Sequence, residues 1–412
     1  MNILLIGTLY EPDLGPSAPL FTMLCKGLVE RGHQVTVITM VPHYPSGKVS
    51  PAFRGKLIYR STEDGVKVIR IGLPSVNRRH LGQRLLQFIC YQLGATLVGI
   101  GQRYDVVLAA SSALSVWLPF FWSVVLRHKP AVYSVHDVYP DVGMTLGIFR
   151  HKPVIMAVSG LERYCLDHAQ IVRILSESFR PGLRNLDVPD SKMVLVYDWV
   201  DTELIQPLPK VNPFAQKNSL SEKFVVLYAG NIGLSQGLEH ILSAAEILAD
   251  QKDIQFVFVG DGAGREPLQS QTTQRQLSNV QFIPFQPREK LPEVLSSADI
   301  SLVILRRGIG AASLPSKTFS IMASGRPILV SVDEESESWK LIKRAEAGVW
   351  VPPEDPTKLA EAILTLKQDK ALREQLGQNG RAWAEQHHSP QHASVQFEKV
   401  LDEAIAMSKN HH

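Results

Sequence analysis

The sequence predicts two doubly wound α/β domains, each built on a mostly parallel sheet and together facing a cleft. Three observations carry this. Apolar runs without polar alternation recur along the chain, as strands buried on both faces require. Stretches with helical spacing separate them. The series then halts once, at a proline-rich segment, and begins again. At 412 residues and 45% hydrophobic content, the chain is too long for one ordinary core, so two domains are expected.

The first series opens on Asn2-Ile3-Leu4-Leu5-Ile6, which ends in Gly7. A Gly- and Pro-rich loop follows, Glu11-Pro12-Asp13-Leu14-Gly15-Pro16-Ser17. Helical spacing runs from Leu20 to Glu30 and stops at Gly32, and the next strand is Gln34 to Met40. Strand, loop, helix, strand is a βαβ crossover. Further strands are predicted at 66–71, 106–110, 131–134, 170–175 and 192–197. Residues 201–222 hold Pro207, Pro209 and Pro213 with little periodicity, and read as a linker. The second series places strands at 224–229, 254–259, 280–284, 300–304, 327–330 and 348–351. Its helices fall at 238–250, 288–297, 316–323, 338–345, 356–367 and 371–386. A last helix, Pro390 to Met407, comes after that series is complete. The expected division is therefore 1–200 for a first domain, 201–222 for a linker, 223–387 for a second domain and 388–412 for a C-terminal helix packing back on the first domain. His411 and His412 carry no weight.

Composition narrows the setting. The three cysteines, Cys25, Cys90 and Cys165, are far apart, so they read as reduced core residues of a cytosolic protein. The start, MNILLIG, lacks the basic residues and cleavage site of a signal peptide. The longest apolar run, Ala113 to Leu126, is broken by Ser115, Pro119 and Ser123 and falls short of the ~20 residues of a spanning helix. A cytoplasmic protein is expected, attached at most peripherally to the inner face of the plasma membrane. Net charge is +3, but residues 1–150 alone carry 15 Lys/Arg against 8 Asp/Glu. Phosphates or an anionic membrane would suit that half, as would an ordinary solvated surface. Nucleic acid is not an expected partner.

In open parallel sheets ligands bind beyond the carboxyl ends of strands, so the loops there are the ones to inspect. Gly260-Asp261-Gly262-Ala263-Gly264 follows the strand 254–259; it suits close backbone approach to a phosphate, or mere packing. It is not the dinucleotide fingerprint, and neither is Gly7-Thr8-Leu9-Tyr10. Gly233-Leu234-Ser235-Gln236-Gly237 matches the nucleophile elbow of hydrolases, with Asp299 and His387 as partners. Against that rival, Asn231 and Ile232 separate the elbow from its strand, and a whole βα domain precedes it. Gly310 to Thr318 ends in Pro315-Ser316-Lys317-Thr318 and is not a P-loop. Lys317 there opposes the helix dipole unless an anion is bound; a solvated surface lysine is the alternative. His136-Asp137-Val138-Tyr139-Pro140-Asp141 follows the strand 131–134 and marks a polar site with no metal cage.

Taken in order, these loops resemble a known family. The sequence runs through the Gly-rich first loop, His136-Asp137, Val196-Tyr197-Asp198-Trp199-Val200-Asp201, Tyr228-Ala229-Gly230-Asn231-Ile232-Gly233, Val259-Gly260-Asp261-Gly262 and Ser316-Lys317-Thr318-Phe319-Ser320-Ile321-Met322-Ala323-Ser324-Gly325-Arg326-Pro327. It is similar to the family-four retaining glycosyltransferases of the GT-B fold, above all those of the colanic-acid and N-acetylfucosaminyl transferase type. The resemblance implies a nucleotide-sugar donor, expected to be UDP-linked, on the second domain and a lipid-linked or saccharide acceptor on the first, with no metal or other cofactor. It implies catalytic roles for His136, Asp137 and Lys317. It implies donor contacts from Gly230, Asn231, Gly260, Asp261, Gly262, Arg265, Pro284, Phe285, Ser316, Lys317 and Ser320, and a phosphate or acceptor loop at Gly15, Pro16 and Ser17. Two family carboxylates are replaced, by Ala312 and Ser320; Glu334, Glu335 and Glu337 are the nearby acids. Asn231 and Gln236 stand where the family has Arg and Lys, leaving Lys317 with Arg265, Arg306 or Arg307 to neutralise the diphosphate. A sugar-nucleotide-binding protein without activity is a further alternative.

Residues 77–89 suggest a membrane contact. Arg78, Arg79 and Arg84 adjoin an apolar stretch in which Leu81, Leu85, Phe88 and Ile89 share one helical face. The competing reading is a helix packed on the sheet.

Overall fold

A computed structural model describes residues 1–44, 47–76, 81–138, 152–233, 236–309 and 314–409, the side chains of Leu81 and Arg84 excepted. The chain divides into two compact units, one comprising residues 1–198 with 390–412, the other residues 199–389.

The first unit is built on an eight-stranded sheet. Its strands are β1 (Asn2–Ile6), β2 (Gln34–Met40), β3 (Ile58–Glu63), β4 (Val66–Ile71), β5 (Val106–Ala110), β6 (Ala131–Val135), β7 (Ile171–Ile174) and β8 (Met193–Leu195). They lie in the order β3-β4-β2-β1-β5-β6-β7-β8, all parallel except β3 against β4. The predicted strands stand where the apolar runs placed them, because β1, β5, β6 and β7 are buried along almost their whole length. The edge strand β3 was not foreseen. Its sequence, IYRSTE, is half-exposed throughout and has no apolar run to betray it.

Helices cover both faces. α1 (Ala18–Glu30), α2 (Leu81–Ile100), α3 (Ala113–Phe120) and α4 (Lys152–His168) come from the first part of the chain, followed by the short α5 (Arg180–Arg184). One core unites Tyr91, Ala95 and Val98 of α2 with Val116 and Phe120 of α3 and Cys165 and Leu166 of α4. The expected apolar face of α2 is corrected here: Phe88 packs inward against this core, whereas Leu85 and Ile89 point outward. The difference arises because α2 buries Gln87, Tyr91, Ala95 and Val98, a stripe one residue out of phase with the one read from the sequence.

The C-terminal helix of the chain, Pro390–Lys409, returns to the first unit. It lies on α1 and buries Phe397, Val400, Leu401 and Ala404. Gly27 of α1 leaves room for it, since a Cβ there would sit 2.1 Å from Ser394 Oγ. Glu398 ties the two helices by accepting from Arg31 Nε at 2.8 Å and pairing with His33 Nε2 at 2.7 Å.

The second unit holds a six-stranded, wholly parallel sheet of β9 (Phe224–Ala229), β10 (Ile254–Val259), β11 (Val280–Ile283), β12 (Ile300–Ile304), β13 (Ile328–Ser331) and β14 (Gly348–Val351). Their order is β11-β10-β9-β12-β13-β14. The order reverses between β9 and β12, which is where a doubly wound sheet opens a crevice beyond its carboxyl edge. Residues 201–222 lie on this unit. Lys210 reaches Asp299 at 2.6 Å, Asn212 caps a helical turn at Pro213–Lys217, and Phe214 and Leu220 are buried. Among the described residues no helix is long and apolar enough to cross a membrane.

Candidate functional site

Two glycine-rich loops meet at the reversal point of the second sheet. After β9 the chain turns at Gly230, with φ +134°, and after β10 it turns at Gly260, with φ +145°. Ile232 N donates to Asp261 O and Gly264 N donates to Ile232 O, each at 2.8 Å. The loops therefore interlock through their backbones. A Cβ on Gly260 would lie 1.9 Å from Gly230 O, and one on Gly262 would lie 2.5 Å from Ile232 O. Loop-to-loop packing thus accounts for the glycine requirement at 260 and 262. Gly260→Ala should destabilise the second unit by about 2 kcal/mol or more, from steric overlap added to a backbone angle that alanine resists. A melting temperature unchanged from wild type would contradict this.

Beyond these loops lies a cavity of about 360 Å³, a size suited to a small ligand. Gly230, Asn231 and Gln236 form one side, Phe285 and Gln286 another, and Ser316, Lys317 and Ser320 a third. Leu291, Val294, Leu295 and Ile321 supply apolar walls. The expected contacts Gly230, Asn231, Phe285, Ser316, Lys317 and Ser320 are thus brought together. Gly260, Asp261, Gly262, Arg265 and Pro284 do not line this cavity, nor do Glu334, Glu335 and Glu337. Ala312 lies outside the described residues.

Among the described residues Lys317 is the one charged residue in that lining. It begins a short helix, Lys317–Ala323, but its side chain runs back to β9. There Nζ sits 3.6 Å from the centroid of the Tyr228 ring and beside Gly230. Among the described residues no carboxylate pairs with it. Burial pushes its ammonium down to about 7, because the charged form loses hydration and regains only the ring face. Tyr228, which no local signal in the apolar strand FVVLYA announced, donates from its hydroxyl to Asn231 O at 2.7 Å. The other expected cations are engaged elsewhere. Arg265 donates to Gly260 O at 2.7 Å, Arg306 pairs with Glu239 at 2.6 Å, and Arg307 donates to Pro353 O at 3.1 Å. Gln236 Oε1 is buried without a hydrogen-bond partner among the described residues. A buried lone amine and a buried lone acceptor in one cavity mark a place prepared for a polar ligand.

In the first unit the corresponding loops follow β1, β5 and β6. Asp13, buried inside the first loop, organises it. Its carboxylate accepts from Gly15 N at 2.9 Å and from His43 N at 2.8 Å. Burial alone would raise this carboxyl, but the hydrogen bonds from His43 and Gly15 carry it below the usual range. Gly15, Pro16 and Ser17 then lead directly into α1. His136 follows β6 and is half-buried, its backbone N–H donating to Ser111 Oγ at 3.0 Å and its ring edge-on to Phe21 at 5.4 Å. Its Nε2 lies 3.3 Å from Ser134 Oγ, which accepts from Arg173 Nη1 at 3.3 Å, and Arg173 pairs with Asp198 at 2.7 Å. Because the Ser134 hydroxyl accepts from Arg173, it is free to donate to Nε2, which favours the proton on Nδ1. Burial pushes the imidazole down to about 4, with Asp198 opposing and Arg173 reinforcing the shift. The ring is therefore neutral near pH 7. Asp137 beside it is exposed, and desolvation raises its carboxyl.

The serine-hydrolase reading fails on geometry. Asp299 precedes β12, at the amino edge of the sheet, where it accepts from Val225 N at 2.7 Å and pairs with Lys210. The loop containing position 235 follows β9 at the carboxyl edge, so Asp299 belongs to the opposite end of the sheet. Ser235 itself lies outside the described residues. Among those described, no three His, Cys, Asp or Glu side chains gather as a metal site.

Comparison with known proteins agrees with this architecture. Residues 17–199 match the family model described as a glycosyl transferase 4-like domain, and residues 211–383 match glycosyl transferases group 1. The chain is 28% identical over 388 residues to the putative colanic acid biosynthesis glycosyl transferase WcaI of Escherichia coli K12, covering 91% of this chain and 95% of that protein. Among solved structures it resembles sucrose-phosphate synthase from Thermosynechococcus elongatus, with TM-score 0.74 and 19% identity over 99% of this chain and 100% of that one. It also resembles HepE from Anabaena in complex with UDP and glucose, with TM-score 0.70 and 15% identity over 98% and 99%. With one family model on each unit and a relative aligned along nearly the whole chain, the protein belongs to the GT-B glycosyltransferases, its first domain glycosyl transferase 4-like and its second of group 1.

Proposed function

We propose that this enzyme takes a sugar from a UDP-linked donor held in the second unit and passes it, with retention of configuration and no resident metal, to an acceptor held by the first. The acceptor is a lipid-linked or polysaccharide-precursor saccharide at the inner face of the plasma membrane. The observation that carries the donor assignment is the cavity in which, among the described residues, the amine of Lys317 is the one charged group and has no carboxylate partner. HepE, a fold relative, is known in complex with UDP and glucose, which supports a UDP-linked donor. The relative WcaI is assigned to colanic acid biosynthesis, which supports a surface-polysaccharide acceptor.

The chemistry follows from charge. As the anomeric carbon becomes oxocarbenium-like, the nucleoside diphosphate departs as an anion, and the cation of Lys317 stabilises the charge where it develops. Asn231 and the hydroxyl-bearing Ser316 and Ser320 line the same cavity. Neutral His136 offers a hydrogen bond near the reacting centre rather than a proton. The leaving phosphate takes the acceptor's proton on the same face, so the chain needs no nucleophile of its own. A product of inverted anomeric configuration, read by proton NMR coupling, would overturn the retaining assignment.

Lys317 also predicts a pH dependence. Its free-state pKa is about 7, and a bound diphosphate must raise it. Affinity for UDP is then greatest below pH 7 and falls as pH rises above it, toward the bound-state value, by up to about tenfold per unit. At pH 8, where UDP is fully ionised, binding should take up close to one proton. Calorimetry in two buffers of different ionisation enthalpy measures this directly. Binding without proton uptake at pH 8 would remove Lys317 from the phosphate site.

A further inference from the structure

The outward side of α2 (Leu81–Ile100) is an unbroken aliphatic stripe. Leu85, Leu86, Ile89, Leu93, Leu97 and Ile100 are between 44 and 71% exposed. At 100° per residue they fall within an arc of roughly 120° along a helix about 30 Å long. The remaining residues in that arc are Gly82 and Thr96, and Thr96 satisfies its hydroxyl internally by donating to Gln92 O at 2.7 Å. No charged residue lies in the arc. The stripe is not needed to close the core, because the opposite side of α2 already does so. There Tyr91 is fully buried, its hydroxyl within 2.7 Å of Gly7 O and 2.9 Å of Ile38 O.

We propose that this face of α2 is a lipid-contacting surface that seats the first unit on an anionic bilayer. Charge selects the occupant. Residues 65–136 carry eight Lys/Arg and a single acid, Asp105. Asp105 is occupied in accepting from Asn2 N at 2.6 Å, while Arg70 is buried on Glu63. An apolar stripe in an almost acid-free segment complements acyl chains below and lipid phosphates above. A second copy of the chain would instead set two such basic segments against each other. The inference rests on the lipid-linked acceptor reading only for what the surface would deliver; the stripe itself stands without it.

The test is co-sedimentation of the full chain with vesicles of phosphatidylcholine alone and of phosphatidylcholine mixed with phosphatidylglycerol. The wild type should bind the mixed vesicles at low salt, bind the neutral ones far less, and be released by high salt. Leu86→Gln/Leu93→Gln/Leu97→Gln should lower that binding at least about tenfold while UDP affinity, measured by calorimetry on the same sample, is unchanged. If the triple variant loses UDP affinity through misfolding, Leu97→Gln alone, at the most exposed position of the stripe, should still weaken vesicle binding. Absence of wild-type binding at low salt, or binding that survives the substitutions in a folded variant, overturns the proposal. A wild-type dimer in light scattering that the triple variant dissociates overturns it in favour of a second copy. Failure to bind UDP, with vesicle binding intact, would refute the donor reading and leave this surface standing.

Discussion

His136→Ala is expected to lower kcat about 100- to 1000-fold while leaving the Kd for UDP unchanged. That range is the cost of removing one preorganised hydrogen-bond group from a developing charge. The residue belongs to the first unit and is not among the residues that line the donor cavity, so UDP affinity is expected to hold. Its orientation is fixed from behind. Asp198 pairs with Arg173, Arg173 donates to Ser134, and Ser134 meets Nε2. Since burial holds the ring near pKa 4, the imidazole stays neutral across the working range, and kcat should show no acid limb near pH 6.5 arising from this residue. Full kcat in His136→Ala at saturating acceptor would make the histidine structural. A parallel loss of UDP affinity would mean that it acts on the donor.

Lys317→Met should weaken UDP binding by about 2–3 kcal/mol, roughly 30- to 150-fold in Kd, with uridine affinity unaffected. Methionine keeps the apolar stem against Tyr228 and deletes only the charge. The same substitution should raise the melting temperature of the ligand-free protein. The folded-state pKa of Lys317 is depressed below the unfolded value, so the charged form is disfavoured by folding. That cost is fully present below pH 7 and disappears as pH rises from about 7 toward the unfolded value near 10.5. The stabilising effect of methionine should therefore be largest at neutral or lower pH and shrink in alkali. Equal UDP affinity of the variant and the wild type would end the phosphate assignment. A lower melting temperature at pH 6 would show that the amine is satisfied by a partner within the protein.

These two residues also show how far the sequence could be read. A cation at a helix start opposes the dipole unless an anion is bound, which is what singles out Lys317 in the sequence, and the structure places it in the lining of a cavity. Its setting there is not the one the helix start suggests. Its side chain turns away from its own helix to lie on Tyr228, a residue 89 positions earlier in a strand that reads simply as core. His136 was recognisable as a histidine just past a strand's end. Nothing near it in sequence announces Arg173 or Ser111, and Asp198 was visible only as part of a motif. Gly260 and Gly262 suit, by sequence, either close approach to a ligand or packing, and in the structure their missing side chains make room for the neighbouring loop.

By itself the sequence determined the two βα series, their strands and nearly all the helices of the second unit. Parallel strands covered on both faces must be apolar throughout, and helices between them must alternate at their own period, so each element carries its signature in a few adjacent residues. It did not reveal β3, which is a polar edge strand, or which side of α2 faces out, because a helix apolar on two sides has no preferred phase until something packs against it. Tertiary structure alone decided that phase. It also decided that the last helix, expected to pack back on the first domain, seats on α1, and it placed Lys317 over Tyr228. Each depends on contacts between residues far apart in the chain, and burial, desolvation and pKa are properties of those contacts rather than of any local run of residues.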